Sequence, residues 1–285
     1  MRRLATCGRV LATVVIAVLA FGLLGGPAAA RPWPLQLNEA GCTDASRANP
    51  VVLVHGTADT ARAWQPAMVP ELVARGFCVY SYDYGAMLTT FGQVNGVAPV
   101  RESVSTLKDV VDRVLRATGA AEVDLVGHSQ GGMLGLNYLK FRGGADKVRN
   151  FVGLAPVTHG TDLNGWVKLT NASVVGRPLT EFLLNGFCAS CTEMQADSDS
   201  VRRLNTGPIA QAGVRYTVIA TRSDQTATPA GKASFIDEPG VRNSYVQDEC
   251  SGKRLRHEQL PADPAVVRMV SNTLAPGASG PLDCG

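Results

Sequence analysis

Gly127-His128-Ser129-Gln130-Gly131 is a Gly-x-Ser-x-Gly pentapeptide, preceded by the apolar run Val123-Asp124-Leu125-Val126 and followed by a helix-compatible stretch from Gly132 to Leu139. A strand-to-helix turn of this kind lifts a serine hydroxyl above the edge of a sheet, at the positive end of a helix. Small residues two before and two after the serine let strand and helix pack closely. The chemistry it suits is nucleophilic attack by Ser129. A neutral hydroxyl is a weak nucleophile, so Ser129 needs a base within hydrogen-bond reach and an acid that sets the tautomer of that base. On such a scaffold the partners follow in the chain order serine, acid, histidine. His55 and His159 come too early, and His128, adjacent to the serine, points away from it and packs beside the turn. His257 is the histidine that follows a late acid. Asp224 stands just past the β-branched run 214–221, at the carboxyl end of an expected strand, where open α/β sheets hold their sites. Asp197, Asp199, Asp237 and Asp248 compete with it; Asp197 and Asp199 lie in a polar stretch and Asp248 adjoins Glu249, so these three read as solvated surface groups.

Attack on a carbonyl also needs two N–H groups aimed at the developing oxyanion. One is expected from Gln130, the residue after the nucleophile, and the other from the loop after the first strand, where His55-Gly56-Thr57 places Thr57. The Thr57 hydroxyl either adds a further hydrogen bond to the oxyanion or simply faces solvent.

The elements that must position these residues are legible as alternation. Short runs at 51–54, 77–82, 123–126, 148–154 and 214–221 read as strands. Between them Val100, Val104, Leu107, Val111 and Val114 recur at helical spacing, with Gly119 as a stop. Asp263-Pro264 opens a further helix that Pro276 closes. Strand and helix in turn imply an α/β fold, a mostly parallel sheet with helices on both faces. Two stretches break the rhythm. Residues 84–99 form a loop carrying Met87, Leu88 and Phe91. Residues 158–213 are too long for a bare loop and hold enough apolar residues, Trp166 and Phe182 among them, for a small helical cap. Cap and loop are expected to line a substrate groove.

With 285 residues, 45% hydrophobic and 18% charged, the chain is globular rather than disordered. Its net charge of +3 suggests an anionic partner at first sight. Residues 1–30, however, have Arg2, Arg3 and Arg9 ahead of an apolar run and end in Ala28-Ala29-Ala30, the pattern of a secretory signal peptide. The apolar run is shorter than a membrane span, so no retained anchor is expected. Removing the segment takes away three arginines and no acid, leaving residues 31–285 formally neutral. A secreted, extracellular domain over 31–285 is therefore expected, with no nucleic-acid partner. Cys42, Cys78, Cys188, Cys191, Cys250 and Cys284 remain, and an even count in an exported chain favours disulfides. Cys188 and Cys191 have the spacing of half a zinc site or a redox dithiol, but no second Cys-x-x-Cys or histidine pair completes a metal shell.

The ordered set PVVLVHGT (50–57), DLVGHSQGG (124–132), LAPVTHG (154–160), CASC (188–191) and TRSD (221–224) resembles the secreted class 2 lipases of bacteria, the esterase/lipase type common in actinobacteria. The resemblance runs from about Pro50 to His257. It implies an α/β-hydrolase fold, a triad of Ser129, Asp224 and His257, oxyanion donors at Thr57 and Gln130, and hydrolysis of carboxylic esters including acylglycerols. It also makes His159 a loop residue. With spacing, it favours the disulfides Cys42–Cys78, Cys188–Cys191 and Cys250–Cys284. No cofactor or metal is implied; the expected partner is a small-molecule or lipid ester, met at an oil–water interface by a monomer. The segment SDQTATP (223–229) is more polar than the aliphatic residues usual there, which bears on acyl-chain preference and not on the triad. A polyester hydrolase, thioesterase or acyltransferase would use the same triad, and a non-catalytic binding protein would share only the fold.

Overall fold

The computed structural model describes residues 36–37, 49–162 and 186–285. Among these residues seven strands form one sheet: β1 (Gln36–Leu37), β2 (Val51–Val54), β3 (Val79–Ser81), β4 (Val123–His128), β5 (Val148–Leu154), β6 (Arg215–Ala220) and β7 (Arg242–Tyr245). Their spatial order is β1-β3-β2-β4-β5-β6-β7; β1 pairs antiparallel with β3 and the rest run parallel. The five expected strands are all present. β1 and β7, the two edge strands, are the ones the apolar pattern does not announce: β1 is two residues long, and Arg242-Asn243-Ser244-Tyr245 has no buried residue.

Side chains alternate between the two faces of the sheet, and the alternation divides the core. Val52, Val54, Leu125, Phe151 and Val218 join one apolar cluster, while Val51, Leu53, Val126, Val152 and Ile219 join the other. Burial on both sides is why these strands read as continuous apolar runs. The first face is covered by α2 (Val100–Thr118), through Val104, Leu107, Val111 and Val114, and by α3 (Gln130–Phe141), through Met133 and Leu134. α1 (Met68–Ala74) and α7 (Pro264–Leu274) cover the second face through Met68, Leu72, Val266 and Val270. α2 stops at Gly119 in the left-handed region with φ 71°, and α7 starts where the Asp263 carboxylate accepts from the N–H groups of Ala265 and Val266.

Of the expected cap, residues 163–185 lie outside the described residues, Trp166 and Phe182 with them. The rest of that stretch holds the short helices α4 (Ala189–Glu193) and α5 (Asp199–Leu204). Cys188 is bonded to Cys191 and Cys250 to Cys284, with Cα separations of 5.3 and 5.4 Å. Cys78 is disulfide-bonded as well; its expected partner Cys42 lies outside the described residues, as does the expected signal segment. α6 (Val246–Glu249) completes the helices used below. No helix among the described residues is long and apolar enough to cross a membrane.

Candidate active site

Ser129 stands at the turn between β4 and α3 with φ 54° and ψ −120°, a conformation unusual for a residue bearing a Cβ. The strain is held by backbone: Ser129 N–H donates to the Leu154 carbonyl at 2.9 Å, and its own carbonyl accepts from Gly132 N–H at 3.0 Å. The flanking glycines are required by proximity. A Cβ on Gly127 would meet the Gly131 carbonyl oxygen at 2.6 Å, and one on Gly131 would collide with the carbonyls of Val54 and His55. Gln130, as the first residue of α3, carries an N–H with no intrahelical acceptor.

Asp224 follows β6 in a turn that commits both of its carboxylate oxygens. Oδ1 accepts from the N–H groups of Thr226 and Ala227 at 2.8 Å each, and Oδ2 accepts from His257 Nδ1–H at 2.8 Å. The pair is buried, with side-chain exposures of 1% and 6%. In the neutral ring a proton on Nδ1 leaves the lone pair on Nε2, and Nε2 of His257 has no hydrogen-bond partner among the described residues. His257 and Ser129 line one cavity of about 520 Å³, together with Thr57, Val157 and Met194. The turn after β6 thus supplies the carboxylate that orients His257, which follows β7 and α6 in the chain and lines the same cavity as the strained serine.

Thr57 lines the same cavity, at the end of β2. Its hydroxyl donates to Gln130 Oε1 at 3.0 Å, so the side chain is occupied in cross-linking the two loops where oxyanion donors are expected. Tyr84, buried against the His55 ring at a centroid distance of 4.3 Å, donates its hydroxyl proton to the His55 carbonyl at 2.7 Å. These ties had no sequence signal beyond the residue types themselves.

The other histidines have separate work. His55 Nδ1–H donates to the Gly56 carbonyl at 2.7 Å, and His159 Nε2–H donates to the Phe235 carbonyl at 2.7 Å. His128 packs beside the turn, as its position implies, and its Nε2–H donates to the backbone carbonyl of His257 at 3.0 Å. Among the competing acids, Asp248 pairs with Arg222 and caps α6 through Tyr245 N–H, and Asp199 pairs with Arg202 in solvent. Asp237 lines a different cavity with His159, and Asp197 stands near α5. No group of three or more His, Cys, Asp or Glu suited to a metal ion occurs among the described residues.

The groove expectation for residues 84–99 is not met among the described residues. Leu88 and Phe91 are about nine-tenths exposed, at 90% and 89%, and the cavity wall takes no residue of that loop. The end of the loop, at Asn95 and Gly96, packs instead against residues 56–58. Wall residues that the sequence did not point to include Thr161, Met194, Thr226 and Glu258.

A mostly parallel sheet with helices on both faces, and a serine on a strained strand-to-helix turn beside an Asp–His pair, is the arrangement of the α/β-hydrolase fold. Residues 48–270 match the family described as Lipase (class 2), and the chain belongs to that family. Its backbone is similar to that of Aspergillus fumigatus lipase B, with a TM-score of 0.65 at 20% identity over 87% of this chain and 56% of the fungal one. It thus spans little more than half of that protein's length. It is also similar to the mature form of the Bacillus licheniformis lipase BlEst2, with a TM-score of 0.62 at 13% identity over 84% of this chain and 97% of that one. An esterase from Exiguobacterium antarcticum aligns at a TM-score of 0.54 and 16% identity, over 81% of this chain and 92% of its own.

Proposed function

We infer that the protein is an exported serine ester hydrolase that cleaves acylglycerols or other uncharged carboxylic esters through an acyl-enzyme. The observation that carries this reading is the 2.8 Å bond from His257 Nδ1 to Asp224, which leaves Nε2 without a hydrogen-bond partner among the described residues on a side chain that lines the same cavity as Ser129. In the reaction Ser129 Oγ bonds to the ester carbonyl carbon while its proton passes to His257 Nε2. Collapse of the tetrahedral intermediate breaks the bond to the alcohol oxygen, which takes the proton from His257. Water, deprotonated by the same nitrogen, then attacks the acyl-enzyme, and the carboxylic acid leaves as Ser129 regains its proton. The N–H groups of Thr57 and Gln130 receive the oxyanion at each stage. The disulfides support export, and the charge-neutral composition of residues 31–285 suits an uncharged ester substrate.

Fluorophosphonate labelling followed by peptide mapping tests the reading. Label is expected on Ser129, absent in Ser129→Ala, with hydrolysis lowered about 10⁶-fold in Ser129→Ala or His257→Ala. An active enzyme whose label maps elsewhere would overturn the assignment. Rates on p-nitrophenyl esters of rising chain length, emulsified triglyceride, a thioester and a polyester then separate ester hydrolysis from the other reactions the same three residues serve.

A further inference from the structure

The Cys-x-x-Cys segment takes no part in the proton relay, yet its helix stands against the cavity. Cys188 precedes α4, and its disulfide partner Cys191 lines the cavity wall along with Met194. Between the two cysteines Ser190 is fully buried, and it directs both its donors at one strap of backbone. Its N–H donates to the Val97 carbonyl at 3.2 Å and its hydroxyl to the Gly96 carbonyl at 2.8 Å. The strap is gripped from the other side by Tyr84 and Gly85, whose carbonyls accept from Gly96 N–H at 2.7 Å and from Val97 and Ala98 N–H at 2.8 Å.

The inner side of this strap is the support for the loop after β2. Ala58 N–H donates to the Asn95 carbonyl at 3.0 Å. Gly96, at φ 68°, lies so close that a Cβ there would stand 2.9 Å from the Gly56 carbonyl oxygen and 3.1 Å from Thr57 Cα. Contact thus runs from the disulfide segment through Gly96 to Thr57, and from the Thr57 hydroxyl to Gln130.

The geometry points to Ser190 as a positioning residue for the oxyanion donors: it fixes the strap 95–97, against which residues 56–58 rest, and so sets where the Thr57 N–H points. This rests on the reading of Ser129 as nucleophile and Thr57 as donor. Stabilisation of a developing oxyanion depends on donors already held in place when charge appears, so a small shift of the loop costs turnover more than ground-state binding. A helix of five residues has too few internal bonds to stand alone; the Cys188–Cys191 bridge holds its first turn and with it Ser190.

The test compares Ser190→Ala with the wild-type chain in kcat, KM and affinity for an alkyl boronic acid, whose adduct with the nucleophile carries a negatively charged oxygen into the oxyanion position. Ser190→Ala is expected to lower kcat about tenfold, short of the loss of a whole donor, to leave KM within about twofold, and to weaken the boronic acid by the same factor as kcat. The isosteric pair Ser190→Thr and Ser190→Val, differing only in the hydroxyl, repeats the comparison should the alanine variant not fold. The threonine variant is expected to bind the boronic acid more tightly. Wild-type kcat and boronate affinity in Ser190→Ala would overturn the inference, as would equal affinities in the threonine and valine variants. In either case, continued wild-type hydrolysis and labelling would leave the reading of Ser129 intact. A wild-type chain inert to esters and fluorophosphonate would overturn that reading and this inference with it.

Discussion

His128 holds the main chain of His257: its Nε2–H donates to the His257 carbonyl at 3.0 Å, and the two rings lie 4.8 Å apart at an angle of 41°. The residue before the nucleophile therefore ties down the backbone of the base. Burial keeps His128 protonation well below the ordinary imidazole range, outweighing the hydrogen bond to the His257 carbonyl, which acts the other way. His128 is thus a neutral donor through the neutral pH range. Removing the tether in His128→Ala is expected to lower kcat about 10- to 100-fold, the cost of a base misplaced by a fraction of an ångström to an ångström. His128→Gln, which keeps an N–H donor on a side chain of comparable reach, is expected to recover part of the loss. Steady-state rates on a short p-nitrophenyl ester check both; full activity in His128→Ala would remove the role.

Asp124 is buried at the amino end of β4, where its Oδ1 accepts from the Asn150 side chain at 2.6 Å, and Asn150 accepts from Arg215 at 2.8 Å. Burial outweighs these hydrogen bonds and pushes the carboxyl up to about 6. A carboxyl whose folded value is raised binds its proton more tightly in the native state. Its contribution is therefore present in full below about pH 4 and lost as pH climbs toward 6, on the order of 2–3 kcal/mol. Asp124→Asn keeps the Oδ1 acceptor without the charge. Its melting temperature relative to wild type is expected to rise between pH 4 and pH 7, measured by calorimetry across that range. A difference independent of pH would contradict the assignment.

Gly131 sits where α3 crosses β2, and a Cβ there would lie 2.5 Å from the His55 carbonyl oxygen and closer still to that of Val54. Both obstacles are backbone, so they do not rotate away. Gly131→Ala is expected to destabilise by about 3 kcal/mol or more, above the usual cost of overpacking a core. Urea titration measures it, and a loss below about 1 kcal/mol would show that strand and helix yield more easily than their packing implies.

Cys250 is buried under α7 and is bonded to Cys284 near the end of the described chain, across a sequence separation of 34. Replacing both with serine removes a cross-link that the loop-entropy relation values at about 4 kcal/mol. The expectation is a lower urea midpoint with kcat unchanged at temperatures where the variant stays folded, because the bridge lies outside the cavity wall. A selective loss of kcat would place it in the working machinery after all.

Local pattern alone was enough to read the strands β2 to β6, the helices α2, α3 and α7, and the candidate residues Ser129, Asp224 and His257. The elements depend on neighbours within a few residues, as β-branched runs buried on both faces, apolar recurrence at helical spacing and glycines at a tight crossing, whereas Asp224 and His257 follow from a chain order of serine, acid and base that the strand-to-helix serine turn implies. β1 and β7 have no such pattern, because an edge strand has little apolar surface to bury. Apolar composition does not say which way a loop turns, and Leu88 and Phe91 of the stretch 84–99 stand in solvent instead of in the cavity wall. Contacts between distant segments were decided only by the tertiary structure: the tether from His128 to the His257 main chain, the Thr57 hydroxyl taken up by Gln130, and the strap that joins Ser190 to residues 56–58. Such ties are hydrogen bonds between residues 73 to 129 positions apart, and in the case of Ser190 and Gly96, 94 apart. They form when the parallel sheet brings the carboxyl ends of its strands together, and no spacing along the chain encodes which donor then meets which carbonyl.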